Sequence, residues 1–148
     1  MQDAVEAALA ARGYGHYEVS AFARKGSECR HNLNYWQFGD YLGIGAGAHS
    51  KLSFHDRIVR QMRTKHPQQY MDAVKAGAHI ADTRTLTRAD LPFEFMMNAL
   101  RLNEGVPVTL FEERTGLPLI VCKAALERAR AQGLMENDAA RLKPTLQG

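Results

Sequence analysis

The sequence predicts an α/β region followed by an α+β winged-helix-like domain. At the N-terminus, a helix candidate over 3–12, stopped by Gly13, precedes a strand candidate over 17–22. Helix, turn and strand in this order are typical of a βα barrel or an open α/β sheet. At the other end, two helix candidates joined by Thr115-Gly116 precede a hairpin, which is the order of a winged helix.

Composition narrows the class of protein. The apolar share of 45% is ordinary for a globular chain of 148 residues. No stretch approaches the roughly 18 apolar residues of a membrane helix, and the first residues lack signal-peptide character, so we expect a cytoplasmic protein without a membrane span. The net charge of +3 is mild and permits an acidic ligand such as a propionate.

Residues 41–50 form an unusual alternating segment. Side chains alternate across a strand. The three alternate glycines would therefore leave one side of the strand bare between a tyrosine ring and a histidine ring, while the apolar residues of the opposite side would anchor the strand in a core. The segment therefore predicts a strand over 41–47, adjacent in one sheet to the strand that contains Val19. The bare side would consist of Tyr41, Gly43, Gly45, Gly47 and His49.

The middle of the chain predicts a hairpin, a helix and a connection. Residues 51–54 and 57–60 flank His55-Asp56, a loop of the length found in tight hairpins. Pro67 is suited to the first position of a helix that extends to Ala76. The polar, Thr-rich segment 82–88 predicts a connection between subdomains.

The last third predicts three helices and two strand regions. Asp90 is a candidate cap for a helix. Its inward face would carry residues at helical spacing, namely Phe93, Met96, Met97 and Leu100. The remaining predicted elements are a strand over 106–108, a helix with a Thr109/Glu112 capping box, a helix over 118–132 and a hairpin of 134–136 with 140–143.

Aromatic and polar side chains are concentrated at 31–36, where Asn32 or Asn34 is suited to cap a helical turn. Imidazole is an ordinary axial ligand of heme iron, and aromatic rings match a flat macrocycle. A structural role, with Trp36 as a core anchor and His31 as a hydrogen-bonded loop residue, is the alternative. That His31, Asn32, Tyr35 and Trp36 bind heme, with His31 as the candidate iron ligand, is what the family resemblance of this segment implies.

Two segments carry a family resemblance. The HNxxYW pattern at 31–36 and the GxGxGAHS pattern at 43–50, together with 92–98, resemble the C-terminal part of the HemW family. These are radical S-adenosylmethionine (SAM) proteins regarded as heme chaperones and long described as oxygen-independent coproporphyrinogen III oxidases. The CxxxCxxC cluster motif of such proteins is absent, since Cys29 and Cys122 are far apart and cannot hold an iron–sulfur cluster by themselves.

The resemblance implies a division of the chain and a set of ligands. Residues 1–50 would be the C-terminal end of a radical-SAM partial barrel, 51–88 a hairpin and helix connector, and 89–148 the winged-helix-like domain. Heme would be bound for delivery to respiratory enzymes, some of them membrane-associated. The full-length parent would also hold a 4Fe-4S cluster and SAM. The wall of a SAM or substrate pocket would be formed by Gly43, Gly45, Gly47 and His49.

Two other functions compete with the chaperone. The parent would otherwise be a coproporphyrinogen III oxidase or dehydrogenase of porphyrin biosynthesis, although this chain, without cluster cysteines, should be inactive alone. The third possibility is DNA binding through the helix 118–132, whose polar residues are Lys123, Glu127, Arg128 and Arg130. We do not expect nucleic-acid binding, because the helix begins with apolar residues and Glu127 opposes phosphate.

Overall fold

A computed structural model describes residues 2–148 and shows a mixed α/β fold with small antiparallel sheets, as the sequence predicts for its class. The helices are α1 (Gln2–Ala10), α2 (Arg30–Trp36), α3 (Pro67–Lys75), α4 (Leu91–Ala99), α5 (Val108–Thr115) and α6 (Lys123–Ala131), the last preceded by a 3-10 turn (Leu119–Cys122). The strands are β1 (Gly15–Glu18), β2 (Ala21–Ala23), β3 (His49–Ser53), β4 (Ile58–Arg63), β5 (Ile80–Thr85), β6 (Val106–Pro107) and β7 (Arg141–Leu142).

The chain divides into two compact units. One consists of Met1–Phe38 with Pro92–Gly148, and the other of Gly39–Leu91. Each is described separately below. The division into 1–50, 51–88 and 89–148, which concerns the full-length parent, stays a prediction.

The first unit begins with α1, which confirms the predicted N-terminal helix, and continues with a hairpin. The prediction of one strand over 17–22 is wrong, because β1 and β2 pair antiparallel with Gly15 opposite Ala23. The chain turns at Val19 and Ser20, where the Ser20 N–H donates to Glu18 Oε1 at 3.1 Å. The carboxylate of Glu18 thus stabilises the turn that interrupts the predicted strand.

The core of the first unit is a row of aromatic rings. Phe95 of α4 makes edge-on contacts with Phe38 and Phe111, with ring centroids 5.8 and 5.2 Å away. These three rings are buried, together with Ala99 and Leu142. Such edge-to-face pairs add directional attraction to the burial of apolar area, so this row joins the turn after α2 to α4 and α5 in one core.

The predicted inward face of α4 is wrong. Phe93 is 70% exposed and Met97 is also exposed, whereas Phe95 is fully buried. Apolar residues occur all around this helix, so helical spacing alone does not identify the face that is buried.

The prediction that Asp90 caps α4 is wrong as well. Thr87 and Asp90 form a reciprocal pair instead, in which Asp90 N–H donates to Thr87 Oγ1 and Asp90 Oδ2 accepts from Thr87 N–H. The Thr87 N–H and hydroxyl both donate to Asp90 Oδ2 at 2.9 Å, and these two hydrogen bonds, with that from Arg84, lower the pKa of Asp90.

The C-terminal elements follow the predicted order with one correction. Pro107 occupies the cap position of α5 and Thr109 lies inside the helix, so the predicted Thr109/Glu112 box is wrong. The Glu112 carboxylate instead accepts from Leu119 N–H at 3.3 Å, across the Thr115-Gly116 turn. The predicted terminal hairpin is present in shortened form, since Glu136 N–H donates to Lys143 O and Thr145 N–H to Leu134 O around a single Met135–Pro144 bridge. In addition, β7 pairs with β6, with Leu142 opposite Val106.

The second unit is a three-stranded antiparallel sheet in the order β3-β4-β5, with α3 inserted between β4 and β5. The predicted hairpin is confirmed, since Ser53 pairs with Ile58 and Phe54 N–H donates to Arg57 O at 2.8 Å around His55-Asp56. The predicted α3 is also confirmed. The prediction of a connection over 82–88 is wrong, because β5 pairs with β4 along 80–85. All six residues of β5 are exposed, which explains their polar composition.

The glycine segment is a loop, and the prediction of a strand over 41–47 beside Val19 is wrong. Tyr41 forms a single bridge with Lys51, and regular pairing begins only at His49. Gly45 and Gly47 have φ values of 106° and 71°, conformations that side-chain-bearing residues avoid. The expected apolar anchor is absent as well, since Ile44 is 83% exposed and Leu42 is exposed.

Candidate functional site

The candidate heme-binding residues lie on α2. Helical spacing places His31 and Tyr35 one turn apart, and their rings meet edge-on with centroids 4.7 Å apart. His31 is exposed, so its imidazole is accessible from solvent. The predicted cap is wrong: Asn32 and Asn34 are inside the helix, and Cys29 occupies the cap position without a side-chain cap bond.

Trp36 is half-buried at the end of α2. Its ring lies 6.3 Å from that of Tyr35, at an angle of 51°. The guanidinium carbon of Arg101 lies 4.3 Å from the centroid of the Trp36 ring, which is a close cation–π contact. The indole Nε1 is buried without a hydrogen-bond partner among the described residues. The ring, rather than its N–H, therefore makes the specific contact that holds this side chain.

Arg101 is in turn held by β1. Its Nη2 donates to Glu18 Oε2 at 3.3 Å, and Glu18 is only 3% exposed. The Arg101 carbonyl accepts from Val19 N–H at 3.1 Å, which fixes the backbone of the same residue. Sequence reasoning missed Arg101 and Glu18, because no local pattern connects a residue after α4 with the tryptophan of α2.

Two further contacts fix α2. The amide of Asn32 donates to the Tyr17 hydroxyl of β1 at 3.4 Å. At the other end, Phe38 has a φ of 55°, rare for a residue with a side chain, and its ring is buried against Phe95. A left-handed conformation costs about 1–3 kcal/mol, which burial of the ring offsets. The sharp turn after Trp36 is thus stabilised by packing in the core.

The predicted pocket-wall residues lie in the second unit, where the N–H groups of the loop glycines donate to neighbouring segments of the same unit. The Gly43 N–H donates to Ser50 Oγ at 2.9 Å, the Gly45 N–H to the Tyr70 hydroxyl at 3.3 Å and the Gly47 N–H to Thr64 O at 2.9 Å. At Gly43 a Cβ atom would overlap the His49 carbonyl group. Gly43 thus lacks room for a side chain, Gly45 and Gly47 adopt positive φ, and His49 is the exposed first residue of β3. Their role as a pocket wall stays a prediction.

An ion pair between a buried lysine and a partly exposed aspartate in the second unit was not predicted. Lys51 is 1% exposed, and its Nζ lies 2.9 Å from Asp40 Oδ1 and 3.0 Å from Ser53 Oγ. Ser53 donates to the same carboxylate through its N–H at 2.9 Å and its hydroxyl at 2.7 Å. Burial acts to raise the pKa of Asp40, but the hydrogen bonds from Ser53 and Lys51 together outweigh it and lower the pKa.

The first unit also contains an open cleft of about 790 Å³. Its charged lining is mostly acidic, and Lys143 lies 3.4 Å from both Glu104 and Glu136. The hydrogen bond with Glu136 is the main cause of the raised pKa of Lys143. Glu104 and Glu136 are paired with Lys143, Glu6 lies 3.6 Å from His16 and Asp3 is exposed to solvent, so the cleft does not present a concentrated binding charge.

The cysteines and histidines do not form a metal centre. Cys29 is exposed and Cys122 is buried, and burial raises the pKa of the Cys122 thiol. Within residues 2–148 no three His, Cys, Asp or Glu side chains converge as metal ligands. Cys122 is a core residue.

The helix considered for DNA binding is α6. Arg130 is directed to its own domain, since its guanidinium donates to the carbonyls of Glu136 at 3.4 Å and Asp138 at 3.3 Å. Lys123 lies 3.9 Å from Glu127. Ile120 and Val121, at the start of the predicted recognition helix, are exposed apolar residues rather than base-reading polar ones.

None of the helices over residues 2–148 combines the length and hydrophobicity needed to span a bilayer.

Comparisons with known proteins bear out the resemblance. Residues 86–148 match the family described as HemN C-terminal domain. The chain is 47% identical over 128 residues to "Heme chaperone HemW" of Escherichia coli K12, covering 86% of this chain and 33% of that protein. It is 44% identical over 132 residues to the protein of the same name from Haemophilus influenzae, covering 88% and 33%. The chain thus spans about a third of the length of these curated relatives.

A solved structure has a similar fold. The radical-SAM enzyme coproporphyrinogen III oxidase (HemN) of Escherichia coli aligns with a TM-score of 0.65, over 97% of this chain and 36% of that one. The sequence identity is 20%, so this likeness concerns the fold alone.

Proposed function

We propose that this chain, which is related to the HemW proteins and carries a HemN C-terminal domain, binds heme on α2 for delivery to respiratory enzymes. The observation that supports this most directly is the exposed His31 imidazole beside the Tyr35 ring. The names of the relatives supply the substrate class. We place the protein in the cytoplasm, and its recipients include membrane-associated proteins.

The residues of α2 are chemically suited to heme. An exposed imidazole offers a ring nitrogen to iron, because the His31 ring is open to solvent and contacts the Tyr35 ring only edge-on. The Tyr35 and Trp36 rings extend an apolar surface from it, against which a macrocycle would exclude water. The Asn32 amide, bonded to the Tyr17 hydroxyl, keeps the helix in place beneath that surface.

The other parts of the proposal concern the full-length parent. There, residues 1–50 would complete a radical-SAM partial barrel and 89–148 would form a winged-helix-like domain. The order α4, β6, α5, α6, β7, with β6 paired to β7, supports the second assignment. Gly43, Gly45, Gly47 and His49 would contribute to the wall of its SAM or substrate pocket.

Cluster chemistry does not belong to this chain. Its two cysteines, one of them buried, do not fit a 4Fe-4S cluster, which takes three or four thiolates. A cluster and SAM in the parent would therefore be bound by other segments, and no reaction step is assigned to the residues described above.

Heme titration of the 148-residue chain, followed by absorbance, tests the proposal. We expect saturable binding, with a His31→Ala variant that binds more weakly and has an altered spectrum. His55→Ala is the matched control, because His55 is an exposed histidine of a hairpin loop in the other unit. If His31→Ala and wild type gave the same affinity and spectrum, His31 would not be the iron ligand.

The alternative function is assayed with the parent. Full-length protein with a reconstituted cluster, SAM and coproporphyrinogen III should form no product at an enzymatic rate. Turnover at such a rate would replace the chaperone proposal by the oxidase or dehydrogenase function.

A further inference from the structure

An arginine distant in sequence determines how the tryptophan of α2 is presented. A buried tryptophan is usually oriented by a hydrogen bond from its indole N–H, but that of Trp36 is buried without an acceptor among the described residues. An unpaired buried donor is unfavourable. Without a hydrogen bond from the indole N–H, contacts of the ring itself must maintain the orientation of Trp36. The cation–π contact with Arg101 is such a contact, and it depends on the direction of the ring face.

Arg101 is well suited to hold a ring in place. Its backbone is fixed by the Val19 N–H and by the bridge between Glu18 and Leu102. Its guanidinium is fixed by Glu18 at 3.3 Å and reaches Ser20 Oγ at 3.5 Å. Because Glu18 is buried, solvent screens this ion pair little, and the planar guanidinium can pair with the carboxylate while it stacks on the indole.

We propose that Arg101 is a positioning residue for the heme-binding cluster, which holds the Trp36 ring beside Tyr35 and His31 through its ion pair with Glu18. This role rests on the proposed heme function, but its geometric part can be tested without heme. Arg101 does not touch iron in this assignment. Its loss should weaken heme binding without a change in the axial ligand.

Trp36 is the sole tryptophan, so its fluorescence reports on this contact directly. In the heme-free chain, Arg101→Ala should make Trp36 more accessible to acrylamide and increase the local motion measured by anisotropy decay. In heme titrations, the same variant should bind about fivefold more weakly. Its absorbance maximum should remain that of wild type, because His31 is unchanged.

The matched control is Arg57→Ala. Arg57 also combines a carboxylate, Asp56 at 2.8 Å, with an aromatic ring, that of Phe54 at 5.0 Å, but it lies in the other unit. It should change neither the fluorescence nor the heme affinity. Arg101→Lys should give intermediate values, since lysine keeps the charge but lacks the planar fork.

If circular dichroism shows that Arg101→Ala does not fold, Glu18→Gln and Arg101→Lys are used in its place. Wild-type quenching and wild-type heme affinity in the folded Arg101 variants would overturn the proposal. Increased quenching with unchanged heme affinity would also overturn it, because Arg101 would then be structural only. If the wild-type chain did not bind heme, the proposed function would fail, while the fluorescence would still show whether Arg101 orients Trp36.

Discussion

The Lys51 ammonium group lies 2.9 Å from the Asp40 carboxylate, but the two partners are unequally buried: the Lys51 side chain is 2% exposed and that of Asp40 is 45% exposed. Removing the partner of a buried charge is costly, whereas an exposed carboxylate can be solvated by water. The two halves of this ion pair should therefore differ in their sensitivity to mutation.

Asp40→Ala should destabilise the chain by about 3 kcal/mol, because it leaves the Lys51 ammonium buried without this carboxylate. Lys51→Met should cost less, since methionine fills the buried volume and the Asp40 carboxylate keeps its hydrogen bonds from Ser53. Urea unfolding followed by circular dichroism measures both. If Asp40→Ala and Lys51→Met lowered the free energy of unfolding equally, the expected difference between the two partners would be contradicted.

Acid should remove the contribution of Asp40. Its pKa in the folded chain is below the ordinary value of 3.8, so the stabilisation is complete well above pH 3.8 and is lost as the pH falls through the lower, folded pKa. The difference in unfolding free energy between wild type and Asp40→Asn should accordingly shrink below about pH 4. A difference that stays constant down to pH 3 would contradict this prediction.

Gly43→Ala should destabilise the glycine loop more than any other alanine substitution in it. A Cβ atom at this position would overlap the His49 carbonyl, and forced overpacking costs about 1–3 kcal/mol. At Gly45 a Cβ meets open space, so Gly45→Ala reports the strain of the positive φ alone. Unfolding by urea, with Ala46→Gly as an exposed control, separates these effects. Equal stability of Gly43→Ala and Gly45→Ala would show that the loop can shift.

Some elements were predictable because their determinants are local. Pro67 begins α3 at a position where its missing N–H is not needed, and His55-Asp56 has the length of a tight hairpin loop. The contact between His31 and Tyr35 likewise follows from helical spacing once α2 forms. In each case a few consecutive residues contain the whole physical cause.

Other features depend on residues that sequence order does not bring together. The burial of Lys51 requires Asp40 from a different segment, and the orientation of Trp36 requires Arg101 and Glu18.

The strand prediction for the glycine segment 41–47 is wrong for another reason. Alternation indicates a strand only where the backbone is extended, and glycines with positive φ produce the same alternating pattern in a loop.

The two phenylalanines of α4 test the corrected orientation of this helix. Phe95→Ala should destabilise the chain by about 3–5 kcal/mol, since its fully buried ring contacts Phe38 and Phe111 and would leave a cavity. Phe93→Ala should change stability by less than about 0.5 kcal/mol, because its ring is 70% exposed. The same substitution two positions apart is its own control for helix propensity. Urea unfolding measures the stability of both variants. A larger loss of unfolding free energy for Phe93→Ala than for Phe95→Ala would mean that the helix face first predicted, the one containing Phe93, lies in the core.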